Sequence, residues 1–466
     1  MMERNVHNTT SKNVALLVSA LSSFLAPFMG ASTNVALPAI GREFAMDAVL
    51  LGWVATSYLL AAAMFLVPLG KIADIHGRKR VFTWGILVYT LASLLCALAP
   101  SAAWFIGFRA LQGIGSALIF GTSVAILTSV FPLGERGRAL GITVATTYLG
   151  LSLGPVLGGL LTGLFGWRSI FLINVPFGVL ILPLALGKLK GEWAEAKGER
   201  FDLVGSIGYG LSLAGLMYGF SRLPGSLGVG LTLAGIVGIA LFVGWEIRVQ
   251  SPVLNVNLFR NNTVFAFSNL AALINYSATT AVGFLLSLYL QHVKGLSPQN
   301  AGLILVAQPI VMAILSPVAG RLSDRIESRT IASAGMGLTV VGLVILTLLN
   351  EQTALGFIIS SLILLGCGFG LFSSPNTNAV MSSVERRSYG VASAIVGTMR
   401  LTGQTLSLGI ATLIFAVYIG KAQITPENYP LFLVSARTAF IIFAALCVGG
   451  VFASLARGRA RNVRRQ

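Results

Sequence analysis

The chain has 466 residues, of which 55% are hydrophobic and 10% charged, and a formal net charge of +17. A soluble globular domain carries about 25% charged residues, so a surface this poor in charge cannot be covered for water, and lipid is the solvent that fits it. No basic-plus-aromatic pattern accompanies the positive charge, which excludes nucleic acid as a partner. Cys96, Cys367 and Cys447 all lie inside apolar runs, and the three histidines are scattered, so neither a metal site nor a cofactor site is expected.

The N-terminus is polar to about Lys12 and has no cleavable signal pattern, so the first apolar run is expected to be a retained span. A helix needs about 20 apolar residues to cross the hydrocarbon core, and runs without period-2 alternation read as helices. Fourteen such runs lie near 14–36, 49–70, 81–98, 102–123, 138–161, 168–187, 203–220, 227–246, 263–290, 299–319, 330–349, 354–376, 389–417 and 434–456. The predicted fold is therefore all-α and membrane-integral. Of the 32 Lys and Arg, only Arg42, Arg168, Arg222, Lys294, Lys421 and Arg437 fall in predicted outer segments, and Arg109 and Arg400 lie inside spans. The rest fall on the inner side. This asymmetry predicts an even span count with both termini cytoplasmic, in the cytoplasmic membrane. The basic tail beginning at Arg457 reads as a topology anchor beside lipid headgroups.

The chain repeats itself weakly. After the second run comes GKIADIHGRKR, with Gly70, Asp74, Gly77 and Arg78; after the tenth comes GRLSDRIESRT, with Gly320 and Asp324. Each copy follows a proline, Pro68 or Pro317. Two six-helix bundles related by pseudo-symmetry follow, at 1–187 and 263–466. Between them, 188–262 holds the longest charged stretch and two further runs that read as an inserted hairpin. Glycines in the loop would let helix ends approach. Asp74 would sit at a helix N-terminus, and Arg78 would fork onto a carboxylate or carbonyls.

In the fourth run Arg109 and Gln112 stand in RALQGIGSAL. An ionisable group inside a span marks function. The fifth run holds Gly150, Gly154, Pro155, Gly158 and Gly159, a flat and bendable face suited to a hinge. The first ends STNVALPAI with Asn34, and the thirteenth reads AIVGTMRLTGQTLSLGIA with Arg400 and Gln404. These motifs, spread from about Asn34 to Gly409, resemble the fourteen-helix drug–proton antiporter branch of the major facilitator superfamily. The resemblance implies that the Gly70–Arg80 loop gates the cytoplasmic side. It also implies that Arg109 and Gln112 line a central cavity, and that the glycine run belongs to an exporter. Further expected lining residues are Tyr58, Thr147, Asn275 and Gln308. The resemblance also implies a first-helix acid five positions before Asn34, where this chain has Met29. All fifteen Asp and Glu fall in loops, tails or span edges, which puts proton coupling in doubt.

The expected function is secondary active transport by alternating access. Small amphipathic or drug-like compounds would be exported, with membrane lipids as surroundings and protons as a candidate coupling ion. A lipid or lipid-precursor translocator is the alternative. A non-transporting sensor lacks a signalling domain here, and no catalytic cluster or phosphate-binding GxxxxGK[ST] loop points to an enzyme or to ATP drive.

Overall fold

The computed structural model describes residues 2–194, 196–249, 252–253, 259–260, 262–323, 326–384, 389–420 and 422–458. Among them, fourteen helices are long and apolar enough to cross a membrane. These are α1 Lys12–Glu43, α2 Ala48–His76, α3 Arg78–Ala97, α4 Ala102–Val130, α5 Ala139–Phe165, α6 Ser169–Lys188, α7 Leu203–Arg222, α8 Ser226–Glu246, α9 Thr263–Val293, α10 Pro298–Leu322, α11 Ser328–Leu346, α12 Leu355–Ser382, α13 Val391–Tyr418 and α14 Pro426–Ala456. Several outrun the apolar stretches that predict them: α1 by a turn or more to Glu43, α2 to His76, and α14 by starting at Pro426 instead of 434. A helix does not stop where lipid does, because its backbone bonds are internal wherever it ends.

Two halves repeat one packing scheme. In the first, α1 lies along α5, and α2 and α3 both lie along α4. In the second, α9 lies along α13, and α10 and α11 both lie along α12. The halves meet through α2 on α13, α5 on α10, and α1 on α9. Second-on-fifth therefore occurs in both directions, as a two-fold relation requires. The α7–α8 hairpin belongs to neither half. Its α7 lies over both α2 and α13, where Leu213, Leu216 and Met217 pack with Leu60 and Ala63. α8 stays mostly outward, with Leu233, Ile236, Val237 and Leu241 exposed as a lipid-facing helix would have them.

The α5 glycines serve two neighbours. A Cβ at Gly154 would meet Ala31 Cβ at 2.5 Å and the Phe28 carbonyl at 3.0 Å, and one at Gly158 would meet Ser32 Cα at 2.7 Å. That face seats α1. One residue around the helix, a Cβ at Gly159 would run into the Pro298 carbonyl of α10, and one at Gly302 into the Pro155 carbonyl. That face joins the halves, on the side away from the chain termini. Ser287 also donates to the Asn34 carbonyl there, Gln291 Nε2 to the Val35 carbonyl at 2.8 Å, and Ala48 N to the Ala422 carbonyl at 3.1 Å.

Gly154→Val places an isopropyl group where Ala31 and the α1 backbone already sit. Overpacking of this kind costs about 1–3 kcal/mol. The purified variant in detergent should unfold several degrees below wild type, whereas Gly141→Val, where a Cβ meets nothing within 4 Å, should not. Equal melting temperatures for the two would remove the α1–α5 seam from the account.

Candidate functional site

Arg109 on α4 is 1% exposed. Its Nε donates to the Val54 carbonyl at 3.1 Å and its Nη1 to Gln112 Oε1 at 2.5 Å. Gln112 passes the chain on, donating to Ser93 Oγ at 2.8 Å, and Ser93 donates to the Tyr89 carbonyl at 2.7 Å. The guanidinium carbon lies 4.5 Å from the Tyr58 ring centre and 5.8 Å from that of Phe171. Four helices, α2, α3, α4 and α6, thus converge on one cation, through oxygens and aromatic faces and with no carboxylate. Arg109 and Gln112 lie together as expected.

Arg400 on α13 is half-buried, 5.5 Å from the Tyr276 ring centre, and within electrostatic reach of the Tyr58 phenol on the opposite half. Around it runs a belt of tyrosine–serine pairs. Tyr58 donates to Ser116 at 2.8 Å, and Ser316 donates across the halves to Tyr148 at 3.0 Å. The sequence reading missed Tyr148, Tyr276, Ser116 and Ser316. The available signal was phenols inside apolar runs, where an O–H needs a partner.

The other expected lining residues divide. Asn34 is half-buried beside α9, where its carbonyl receives Ser287. Thr147 faces α1 instead, donating to the Thr143 carbonyl and, at 3.4 Å, to that of Ser23. Gln308 and Gln404 are half-buried without a hydrogen-bond partner among the described residues. Asn275 is 0% exposed and both its amide atoms lack partners. It is not brought into the Arg109 network. Met29 is also 0% exposed, and its sulfur accepts from Asn174 Nδ2 at 3.5 Å, while Asn174 Oδ1 has no partner. Two surface depressions, of about 470 and 490 Å³, lie at the periphery against Asn350 and Arg437 and against Lys79 and Trp84, and neither touches Arg109 or Arg400.

The signature loop differs from expectation in detail. Asp74 lies in the last turn of α2, not at a helix N-terminus. There the dipole opposes its charge, and Arg78 compensates, with Nε donating at 2.8 Å to Asp74 and Nη1 at 2.7 Å to Ser129 on α4. The N-terminus of α3 is taken by Glu192 from the linker. Its carboxylate accepts from Lys79 N at 2.9 Å and Arg80 N at 3.2 Å. Trp193 O accepts from Arg78 N, Ala196 N donates to Asp74 O, and Lys71 pairs with Glu199 at 2.6 Å. A Cβ at Gly77, whose φ is +115°, would strike Glu192, whereas one at Gly70 would meet nothing within 4 Å. The close-approach role expected of Gly70 therefore falls to Gly77. In the second copy, a Cβ at Gly320 would come 2.7 Å from Ser374 Oγ; Asp324 lies outside the described residues.

Arg457 corrects the reading of the tail. It is 1% exposed, donating to Ser268 at 3.2 Å, Asn376 at 3.1 Å and the Ser328 carbonyl at 2.9 Å. Burial, with Arg329 adding repulsion, pushes it down to about 10, against the pull of Glu327. It clasps α14 to α9, α11 and α12 and is not a headgroup anchor. Residues 459–466 lie outside the described residues.

Comparison with known proteins agrees with this architecture. A sequence model of the Major Facilitator Superfamily matches residues 19–407 and 268–465. The riboflavin transporter RibZ of Clostridioides difficile (strain 630) is 27% identical over 440 residues, covering 94% of this chain and 96% of its own. The multidrug resistance protein Stp of Mycobacterium tuberculosis (strain ATCC 25618 / H37Rv) is 33% identical over 420 residues, covering 89% and 78%. The cephamycin export protein CmcT of Amycolatopsis lactamdurans is 35% identical over 412 residues, covering 86% and 85%. Among solved structures, a bacterial homologue of the human lysosomal transporter Spinster, inward-facing and unoccupied, superposes with a TM-score of 0.66 at 16% identity over 97% of both chains. With the family matched across nearly its whole length, this chain belongs to the major facilitator superfamily and is a multi-pass membrane transporter, not an enzyme.

Proposed function

We propose that this chain is a secondary active transporter that works by alternating access and exports small amphipathic or drug-like compounds. The working units are two bundles at 1–187 and 263–466, with 188–262 as linker and hairpin, in the cytoplasmic membrane with both termini cytoplasmic. The observation that carries the reading is the unequal closure of the two faces. Away from the termini, backbone meets backbone through Gly159 and Gly302, reinforced by the Asn34–Ser287 and Val35–Gln291 bonds. Deeper toward the termini, the halves touch through side chains, Tyr148 to Ser316 and Phe120 against Gly397. A tight outer seal above a polar belt fits the cytoplasm-open state of a two-state carrier.

In this reading the Gly70–Arg80 loop, with Asp74, Gly77 and Arg78, gates the cytoplasmic side, and Gly320 marks its counterpart. The α5 run Gly150–Gly159 with Pro155 is the surface over which the halves rock. Export fits the name of the relative CmcT, and drug-like compounds fit that of Stp, a multidrug resistance protein, while RibZ, named for riboflavin, leaves the substrate range wider. The lipids around the protein stabilise exposed α8.

Single cysteines placed in a background free of Cys96, Cys367 and Cys447 test the orientation. In intact cells, Trp193→Cys should react only with permeant reagents, and Ala422→Cys should react with impermeant ones. Labelling of position 193 from outside would reverse the topology.

Proton coupling through α1 is weak in this reading, because Met29 cannot bind a proton. Asn174 beside it donates from Nδ2 to the Ile170 carbonyl and to the Met29 thioether and leaves its Oδ1 acceptor idle. A protonated Asp at position 29 could donate to Oδ1 while accepting from Nδ2; the ionised form could not donate. In proteoliposomes, Met29→Asp should raise the dependence of transport on an imposed proton gradient, and Met29→Asn should not. Tight proton-driven transport by the wild type, unchanged in Met29→Asp, would refute this account.

A further inference from the structure

The two intramembrane arginines are not equivalent. Arg109 is held by Val54, Gln112 and two aromatic faces. Arg400 is stacked near Tyr276 and, among the described residues, has neither a hydrogen-bond partner nor a carboxylate. It is half-buried in α13, nine residues past Val391, within a span. Arginine stays protonated at any accessible pH, and a bare charge at this depth costs a few kcal/mol. The chain cannot supply a counter-charge, since all fifteen acids lie in loops, tails or span edges. The partner must come from outside.

We propose that Arg400 is the docking group for substrate, and that the substrate class is a flat aromatic monoanion with a carboxylate head. This deepens the transporter reading and rests on it. The planar guanidinium presents two parallel N–H donors that match a carboxylate. The walls beside it are aromatic: Tyr276 lies 5.3 Å from Phe369, and Tyr58 stands across the halves. Ser116 holds the Tyr58 phenol, which fixes that ring and lets its face line the site. One free guanidinium, with Arg109 already engaged, suits one negative charge. A cation would meet two fixed positive charges and no acid.

The same arrangement ties binding to conformational change. An empty carrier must close around an unpaired guanidinium, whereas a loaded one closes around a neutral pair. The anion therefore favours closure by the difference in its affinity for the two states.

The test uses three probes that share one ring system, 2-naphthoate, 2-naphthylmethanol and 2-naphthylmethylammonium. Their binding to the full chain in nanodiscs is measured at equilibrium. Wild type should bind naphthoate most tightly. Arg400→Gln should weaken naphthoate by roughly tenfold or more, the scale of a lost charge-assisted pair, and leave the alcohol nearly unchanged. Arg400→Lys, which keeps the charge and loses the fork, should fall between. The assignment is overturned by undetectable naphthoate binding, by a cation bound as tightly, or by equal loss of naphthoate and alcohol. If Arg400→Gln fails gel filtration, the Arg400→Lys comparison of naphthoate with alcohol decides on the same terms. Transport of the three probes in proteoliposomes is scored separately. Arg400-dependent binding without transport of any probe would sink the transporter reading alone, and transport with cation preference would sink the anion assignment alone.

Discussion

A guanidinium in the middle of a membrane protein cannot shed its charge, and this constraint organises the first half of the chain. Around Arg109 the chain provides a carbonyl from α2, an amide from its own helix, and ring faces from α2 and α6. The amide is in turn held by Ser93 of α3. Each contact is neutral, and together they fix the rotation of four helices about one point. Truncating Gln112 or Ser93 would leave a buried polar group unsatisfied, at about 1–3 kcal/mol each. The bundle therefore has a polar centre, and its apolar packing is arranged around it.

Outside that centre, glycine governs how closely the parts meet. α5 has small residues on two adjoining faces, so that its backbone touches α1 on one and α10 on the other. Lipid offers no hydrophobic reward for helix association, and close backbone packing supplies dispersion in its place. Helices joined in this way have two kinds of contact, those within a half and those between halves. The residues Gly154 and Gly159, one helical step apart and one turn along, carry one of each.

Much of this was legible in the chain. The span count, the inserted hairpin and the pairing of Arg109 with Gln112 follow from apolar length, charge placement and spacing along a single helix. What escaped depends on faces set by other helices. Thr147 looks like a cavity residue because it is polar within a span, yet helix rotation turns its hydroxyl to α1. Tyr148 looks apolar by composition and pairs through its hydroxyl with Ser316. Arg457 opens a run of basic residues that reads as solvated, but the end of α14 tucks it under α9, α11 and α12. Glu192 is one acid in a mixed-charge linker, and nothing near it in sequence reveals that it faces the start of α3, more than a hundred residues earlier.

That last contact joins the linker to the first half. Arg78, Lys79 and Arg80 crowd three cations at the positive end of the α3 dipole, an arrangement that destabilises the turn unless an anion sits there. Glu192 is that anion, and with Trp193, Ala196 and Glu199 it ties the linker to the α2–α3 loop. Residues 192–194 and 196–199 are therefore tied to the first half. The next element in the chain is α7, which rests on α2 and α13 together through Tyr209, bonded at 3.3 Å to the Ala63 carbonyl and facing Thr402. Any rocking of one half on the other must slide past α7 or carry it along. The Met217 thioether and the Phe220 ring over Gly409 are contacts that can shift without breaking a hydrogen bond. The hairpin thus packs over one seam of the molecule, while the glycines of α5 lie at the other.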